Sequence, residues 1–457
     1  MVGISARQYI PAPNRRGLQT IPRDGFSMRL SFMTIAALAA PAVISAQGQS
    51  GSRGAACAPD NGGISLPKGF CAIVFADSLA GPRHLVVATN GDVFVALRGR
   101  GGQSGTPGGV VALRDENGDG RADRQAGFGS FSATEVALFD RHLYTENTTG
   151  VLRYRLARGA LEPSSGPDTI VGGLPEGGHA AKTFAIARDG ALFVNIGSRT
   201  NACQQEDRKE ASAGVDPCTE LETRAGIWRF DARKIGQTQA SGQHFARGIR
   251  NSVAIAINPA DNALYVMQHG RDQLAGNWPS LFSNEKSAET PAEELFRLNA
   301  GDDFGWPYCY FDPQLGKKVL APEFGGDGST VGRCAAKKGN VAFFPGHWAP
   351  NGLLFYTGSQ FPARYRQGAF IAFHGSWNRG PLPQAGFNVV FQPMRGGKAS
   401  GAHEIFADGF AANLNVGRGG GGNRRPTGVA QGPDGALYVS DDAGGRIWKI
   451  VYTGADK

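Results

Sequence analysis

The sequence predicts an all-β protein, a six-bladed β-propeller with long inter-strand loops, and three observations carry that expectation. With 67 Gly and 26 Pro in 457 residues, about one position in five is a backbone punctuator, well above ordinary usage, and this demands many turns. Charged residues make up 19% and apolar ones 41%, too apolar for a disordered chain and without the A/E/K/L/R tracts of a coiled coil or helical bundle. Finally, one phrase recurs: a short apolar strand, a tight Gly or Asn turn with an Asp nearby, and a second strand with an aromatic residue before Val.

The copies run PRHLVVATNGDVFVA from Pro82, ATEVALFDRHLYTE from Ala133, KTFAIARDGALFVNIG from Lys182, NSVAIAINPADNALYVMQHG from Asn251 and PTGVAQGPDGALYVSDD from Pro426, with a looser one, NGLLFYTGSQFPARYRQGAFIAFHG, from Asn351. Each pairs two β-rich runs around D-G, N-G or a short polar loop, the signature of a hairpin. Third strands are expected at 109–114, 151–156, 226–230, 295–298, 387–391 and 446–451. Six such units read as six blades around an axis; a β-sandwich does not need one hairpin phrase six times. The propeller is bounded at 65–452, with a linker at 47–64 and a tail at 453–457. Long insertions fall at 268–350 and 392–425, and in a ring such loops gather at the ends, where function sits.

Before the propeller, Met28 and Arg29 precede an Ala-rich apolar stretch from Leu30 to Ile44 and the small residues Ser45 and Ala46. Residues 1–46 are therefore expected to be a signal peptide cleaved near Ala46, with Met28 as an alternative start; a membrane span would need nearer twenty apolar residues, and a non-cleaved membrane anchor is the rival reading. The mature protein is expected in the periplasm or secreted, with no stable membrane insertion. Six cysteines follow, Cys57, Cys71, Cys203, Cys218, Cys309 and Cys334, an even count that suits disulfides in an oxidising compartment, most naturally between neighbours although 15 pairings exist.

The net charge is +8. Residues 1–46 hold five arginines against one aspartate, a surplus of four, which leaves +4 for the rest. Without a Lys/Arg run, nucleic-acid binding is not expected.

Chemistry concentrates just before the strands of the repeat. His179, in GLPEGGHAAKTF, precedes a first strand and would point into the mouth of the axial channel, where an imidazole suits general-base work. Arg250 and Asn251 hold the same place in the next blade and Arg425 in the last, while Arg379 follows a strand in FIAFHGSWNRG. Guanidinium forks pair with carboxylates and stack on π faces, so this mouth would hold a planar polyanion.

These residues, with NIGSRTNAC, MQHGRD, DDFGWPYCY and RRPTGVAQGPDGALYVSDD in this order along roughly residues 65–452, resemble the soluble sugar dehydrogenases that use pyrroloquinoline quinone, the sorbosone dehydrogenase branch in particular. The resemblance implies an enzyme oxidising an aldose or sugar aldehyde and an unidentified electron acceptor. It implies that His179 is the base, taking the substrate hydroxyl proton while hydride passes to the quinone. It further implies that Arg250, Asn251 and Arg425 hold the cofactor and that the backbone carbonyls of Gly270 and Arg271 ligate Ca²⁺, a hard Lewis acid. Two features depart from the pattern: Arg271 stands where Pro is usual, and no Lys occurs in the FHGSWNRG segment, so Arg379 or Lys182 would substitute for a cofactor-binding Lys.

Independently, Asp115, Asn117, Asp119, Gly120 and Asp123 follow calcium-loop spacing without the acidic twelfth residue, so a structural Ca²⁺ and a plain polar hairpin both fit. The Gly-rich segment at 417–425 reads as a loop over the ring mouth rather than a phosphate cradle. Motifs of serine hydrolases, zinc proteases and P-loops are absent. The rival functions are a calcium-dependent propeller lactonase and a non-enzymatic propeller binding a sugar or peptide.

Overall fold

The inner strands form a ring: Pro82–Val87, Val136–Phe139, Phe184–Ile186, Ile255–Asn258, Pro350–Phe355 and Pro426–Gln431 each neighbour the next, and the last returns to the first. This six-bladed β-propeller is a computed structural model describing residues 56–99, 108–414 and 423–454. The proposed leader, the Gly-rich run at 417–422 and the end of the tail lie outside the described residues.

Each recurrent phrase supplies the inner hairpin of one blade, and two further strands complete it. Blade 1 is Pro82–Val87, Val93–Leu97, Gly109–Arg114 and Arg124–Phe128; blade 2 is Val136–Phe139, His142–Asn147, Gly150–Arg155 and Asp168–Gly172. Blade 3 is Phe184–Ile186, Ala191–Ile196, Gly226–Asp231 and Gln243–Arg247; blade 4 is Ile255–Asn258, Ala263–Gln268, Glu293–Leu298 and Ala342–Phe344. Blade 5 is Pro350–Phe355, Gly368–Phe373, Asn388–Arg395 and Glu404–Ala407. Blade 6 is Pro426–Gln431, Leu437–Asp441 and Arg446–Tyr452, and its outer strand is Phe70–Ala76 from the other end of the chain. That pairing ties the two termini of the ring together.

The turns follow the sequence. Gly91 of the Asn-Gly hairpin has φ +92°, and a Cβ there would meet nothing within 4 Å, so glycine is needed there for its left-handed backbone alone. Second strands are enclosed on both faces, and Ala191–Ile196 and Gly368–Phe373 are buried at every position. This is why they read as mostly apolar runs, Gly368–Phe373 without a polar residue and Ala191–Ile196 with Asn195 alone.

The core is divided into six layers, each between two adjacent blades. Between blades 5 and 6, Phe361, Phe370, Phe391, Phe406 and Trp448 pack together; between blades 3 and 4, Phe193, Ile227, Val266 and Phe296 do so. Because every blade is gripped on both sides, the loops at the ring mouth stand on a stiff frame.

The segment expected to be a linker is bound to the propeller from residue 56 onward. Ala58 N–H donates to the Ala72 carbonyl at 2.8 Å, the Gly62 carbonyl accepts from Trp448 Nε1 at 3.2 Å, and Cys57 is bonded to Cys71. The other disulfides, Cys203–Cys218 and Cys309–Cys334, also join neighbours. Among the described residues no helix is long and apolar enough to cross a membrane.

Candidate functional site

In an antiparallel blade the start of the first strand, the end of the second and the start of the third lie at the same end of the sheet. His179 and Arg250 come just before the first strands of blades 3 and 4. His269, Gly270 and Asp272 follow the second strand of blade 4, Glu293 starts its third, and Trp377 and Asn378 follow the second strand of blade 5. Topology thus gathers them at one mouth. They line a cavity of about 290 Å³ together with Arg208, His347 and Ala349. A larger groove, about 770 Å³, is lined by hairpin residues such as Arg188, Asn258 and Thr357 and opens at the opposite end; it contains no histidine.

His179 is held by its backbone and by one ring nitrogen. Its N–H donates to the Ser198 carbonyl at 3.0 Å, and Nδ1 lies 2.9 Å from that carbonyl and 3.1 Å from Ser198 Oγ. Two glycines permit this approach. A Cβ on Gly178, at φ +62°, would lie 2.5 Å from Arg199 Cα, and one on Gly197 would lie 2.6 Å from His179 Cβ and 2.9 Å from Asn251 Oδ1. Burial, followed by the Arg250 charge, pushes the imidazole down to about 3. At neutral pH the ring is uncharged and able to accept a proton.

Arg250 is buried, 3% exposed, and organises the cavity wall. Its guanidinium donates to the Asn201 carbonyl (3.2 Å), Asn201 Oδ1 (3.1 Å), the Gly270 carbonyl (3.0 Å) and Asp272 Oδ2 (2.9 Å). Asp272 also accepts from Arg208 Nη2 and, through Oδ1, from Asn378 Nδ2, each at 2.9 Å. Burial alone would raise the Asp272 carboxyl, but Arg250, His347 and Arg208 outweigh it and hold it well below the usual carboxylate range. Glu293 accepts the Gly270 and Ala349 N–H groups, and burial raises it to about 8. The wall is thus cationic guanidinium around one fixed carboxylate, with Asn378 Oδ1 buried and without a hydrogen-bond partner among the described residues.

The sequence-derived candidates separate into two groups. His179, Arg250 and Gly270 meet in the cavity, while Asn251 is buried outside the lining, its Oδ1 accepting from Asn195 Nδ2 at 3.4 Å. Arg271, between the lining residues Gly270 and Asp272, is not itself in the lining: its side chain turns into a buried ion pair with Glu323, 2.5 Å away. Arg425, Arg379 and Lys182 are outside the lining. Arg425 donates to the His374 and Gly375 carbonyls. Arg379 braces the carbonyls of Ala288 and Gly346 and the Glu289 carboxylate. Lys182 is fully buried and donates to the Ala180 carbonyl at 2.6 Å. Neither Arg379 nor Lys182 stands on the cavity wall where a cofactor-facing Lys was expected.

The acidic loop of blade 1 is closed by hydrogen bonds of its own. Asp115 accepts the Gly118 and Gly120 amides at 2.7 and 2.8 Å, Asp123 the Glu116 amide at 2.8 Å and Asn117 Nδ2 at 2.9 Å, Asn117 Oδ1 the Asp119 amide at 2.8 Å, and Asp119 the Arg121 amide at 2.9 Å. Its oxygens hold the turn between the third and fourth strands of the blade. Among the described residues no group of three or more His, Cys, Asp or Glu side chains is arranged to hold a metal ion. The sequence reading missed Arg208, His269, Asp272, Glu293, His347, Trp377 and Asn378 as site residues. Asp272 was inside the MQHGRD motif, and His347 lies three residues before an inner strand, much as His179 and Arg250 do.

Comparison with known proteins gives this geometry its relatives. A family model described as TrAA12-like matches residues 64–453. The aldose sugar dehydrogenase YliI of Escherichia coli (strain K12) is 24% identical over 279 residues, 61% of this chain and 61% of that protein. The pyrroloquinoline quinone-dependent pyranose dehydrogenase of Coprinopsis cinerea is 26% identical over 323 residues, 62% of this chain and 41% of that protein. The matches therefore span 61% of the length of the first relative and 41% of the second. Among solved structures, the holo form of the pyranose dehydrogenase PQQ domain from Coprinopsis cinerea matches with a TM-score of 0.69 at 21% identity, covering 85% of this chain and 97% of that one, a likeness of fold.

Proposed function

The chain belongs to the TrAA12-like family, and from that premise we propose that it is an oxidoreductase that oxidises an aldose or related sugar aldehyde with pyrroloquinoline quinone as its cofactor. One observation carries the reading: His179 and Arg250, 71 positions apart in sequence, line one cavity at the ring mouth. At about 290 Å³ it lies at the lower end of the range for small-molecule sites.

The residues present fit a planar, carboxylated quinone. Arg208 and Arg250 supply guanidinium groups, which suit carboxylates. Asn378 Oδ1 is a buried acceptor without a donor, and Trp377, 37% exposed on the wall, offers an aromatic face. When bound, the quinone supplies a two-electron sink. The chain's own part is to bind, orient and move a proton: His179 Nε2 accepts the proton of the substrate hydroxyl, and Arg250 fixes the wall opposite through Gly270 and Asp272.

Ca²⁺ is included in the proposal only jointly with the quinone. The carbonyls of Gly270 and Arg271 provide two of the roughly six to eight oxygens the ion takes, and the first already accepts from Arg250. The described residues therefore form no cage for the ion alone, and calorimetry should record Ca²⁺ binding only when quinone is present. A lactonase centred on a metal would need a side-chain cluster that the described residues do not form. Export to the periplasm or medium rests on the leader expected at 1–46 and agrees with three disulfides.

The test is to titrate the purified mature protein with quinone and Ca²⁺ and then supply a panel of aldoses and a dye acceptor. Quinone binding followed by sugar-dependent dye reduction supports the proposal. A protein that binds no quinone refutes it.

A further inference from the structure

Three imidazoles line the cavity, and they are not held alike. His269 and His347 each spend Nε2 on a backbone carbonyl, of Pro350 and Ser287 respectively, at 2.8 Å. A carbonyl only accepts, so in both rings Nε2 carries the hydrogen. His179 is held by the other nitrogen. Its Nδ1 faces the Ser198 carbonyl at 2.9 Å and Ser198 Oγ at 3.1 Å.

The hydroxyl of Ser198 is itself committed. Oγ donates to the Thr200 carbonyl at 2.6 Å, so it offers the imidazole lone pairs only. Ser198 is fully buried, and its N–H donates to the Arg250 carbonyl at 2.7 Å. Glu220 fixes the segment that follows by accepting the Arg199 amide at 2.6 Å and the Thr200 amide at 3.3 Å. The ring thus meets two acceptors that cannot turn into donors. The opposite tautomer would set the Nδ1 lone pair against both oxygens.

We propose that Ser198 is a positioning residue that fixes His179 as the Nδ1–H tautomer, so that among the three imidazoles of the cavity only His179 offers a bare Nε2. The inference deepens the proposed function, which gives the bare nitrogen its use, but the tautomer follows from hydrogen bonding within the chain. The acceptors are neutral, so the ring is oriented without a carboxylate partner.

The test uses quinone-free protein labelled with ¹⁵N-histidine. Two-bond ¹H–¹⁵N spectra at neutral pH distinguish protonated from bare ring nitrogens, and loss of one spin system in His179→Gln assigns the signal. The expected spectrum has His179 with Nδ1 protonated and Nε2 bare, and His269 and His347 reversed. A His179 signal with Nε2 protonated overturns the proposal, and this decision needs no variant at Ser198. In the loaded enzyme, Ser198→Ala should lower kcat about fivefold, the worth of one neutral hydrogen bond, with KM unchanged, and Ser198→Thr should restore it. Folded Ser198→Ala with the wild-type kcat also overturns it. If the protein turns over no sugar at all, the proposed function fails while the ring spectrum still decides the tautomer.

Discussion

Gly197→Ala tests the site at its tightest point. A Cβ there would meet His179 Cβ at 2.6 Å, the His179 carbonyl at 2.8 Å and Asn251 Oδ1 at 2.9 Å. Ordinary contact begins near 3.4 Å, so the closest approach is too short by roughly 0.8 Å, and none of the three atoms is the loose end of a long side chain. Gly197 follows a fully buried strand and precedes Ser198, which is bonded to both His179 and Arg250. The relief must therefore come from moving His179 and Asn251 outward. Overpacking of this kind costs about 1–3 kcal/mol of stability, whereas misplacing a reacting group by ~1 Å costs on the order of a hundredfold in rate. Sugar-dependent dye reduction by quinone-loaded protein should therefore lose about 100-fold in kcat/KM, with a melting temperature lowered by a few degrees. Folded Gly197→Ala protein with kcat/KM within threefold of wild type would refute the claim that His179 needs this placement.

Other outcomes follow from the same geometry. His179→Gln should retain quinone binding by calorimetry but lose about 10²–10⁴-fold in kcat, the usual worth of a general base. Burial lowers His179 to about 3 and His244, His269 and His374 to about 4. These groups bind more protons unfolded than folded between their folded values and 6.5, so their stabilisation is fully present above pH 6.5 and is lost as pH falls toward 4. Burial raises Glu146 and Glu293 to about 8, and their contribution is lost as pH rises from 4.5 toward 8. Melting temperature should thus peak near about pH 6; a steady rise up to pH 8 would contradict these assignments. Replacing Cys203 and Cys218 with Ser opens a loop whose ends are 15 residues apart, which should cost about 3 kcal/mol by the chain-entropy argument. It should also weaken quinone binding, because that loop carries Arg208, whose guanidinium pairs with Asp272.

The fold was legible because a hairpin is a local event. Turn residues such as Asn90-Gly91 and the alternating apolar runs beside them set each inner pair without reference to the rest of the chain, and six such pairs leave few ways to bury their faces. His179 and Arg250 were legible for the related reason that residues just before an inner strand must stand at the mouth. What could not be read was side-chain direction. Arg425 occupies the same station as Arg250, yet its donors go to the His374 and Gly375 carbonyls. Arg271 sits beside a cavity residue but turns away to Glu323, itself part of a long insertion. Arg208 and Glu293 reach the site from a disulfide loop and from a third strand, positions that carry no recurring phrase. The spacing of Asp115 to Asp123 matches a cation loop and a hairpin equally well, because both need oxygen acceptors at alternate positions of a tight turn.

The central claim is that the cavity between His179, Arg208 and Trp377 is the quinone site. The most direct measurement is a crystal structure of the mature protein loaded with pyrroloquinoline quinone. The account predicts the quinone in that cavity, its carboxylates within reach of Arg208 or Arg250 and His179 Nε2 facing the substrate side. Quinone bound in the larger groove at the other end of the ring, with the His179 cavity empty, would contradict it.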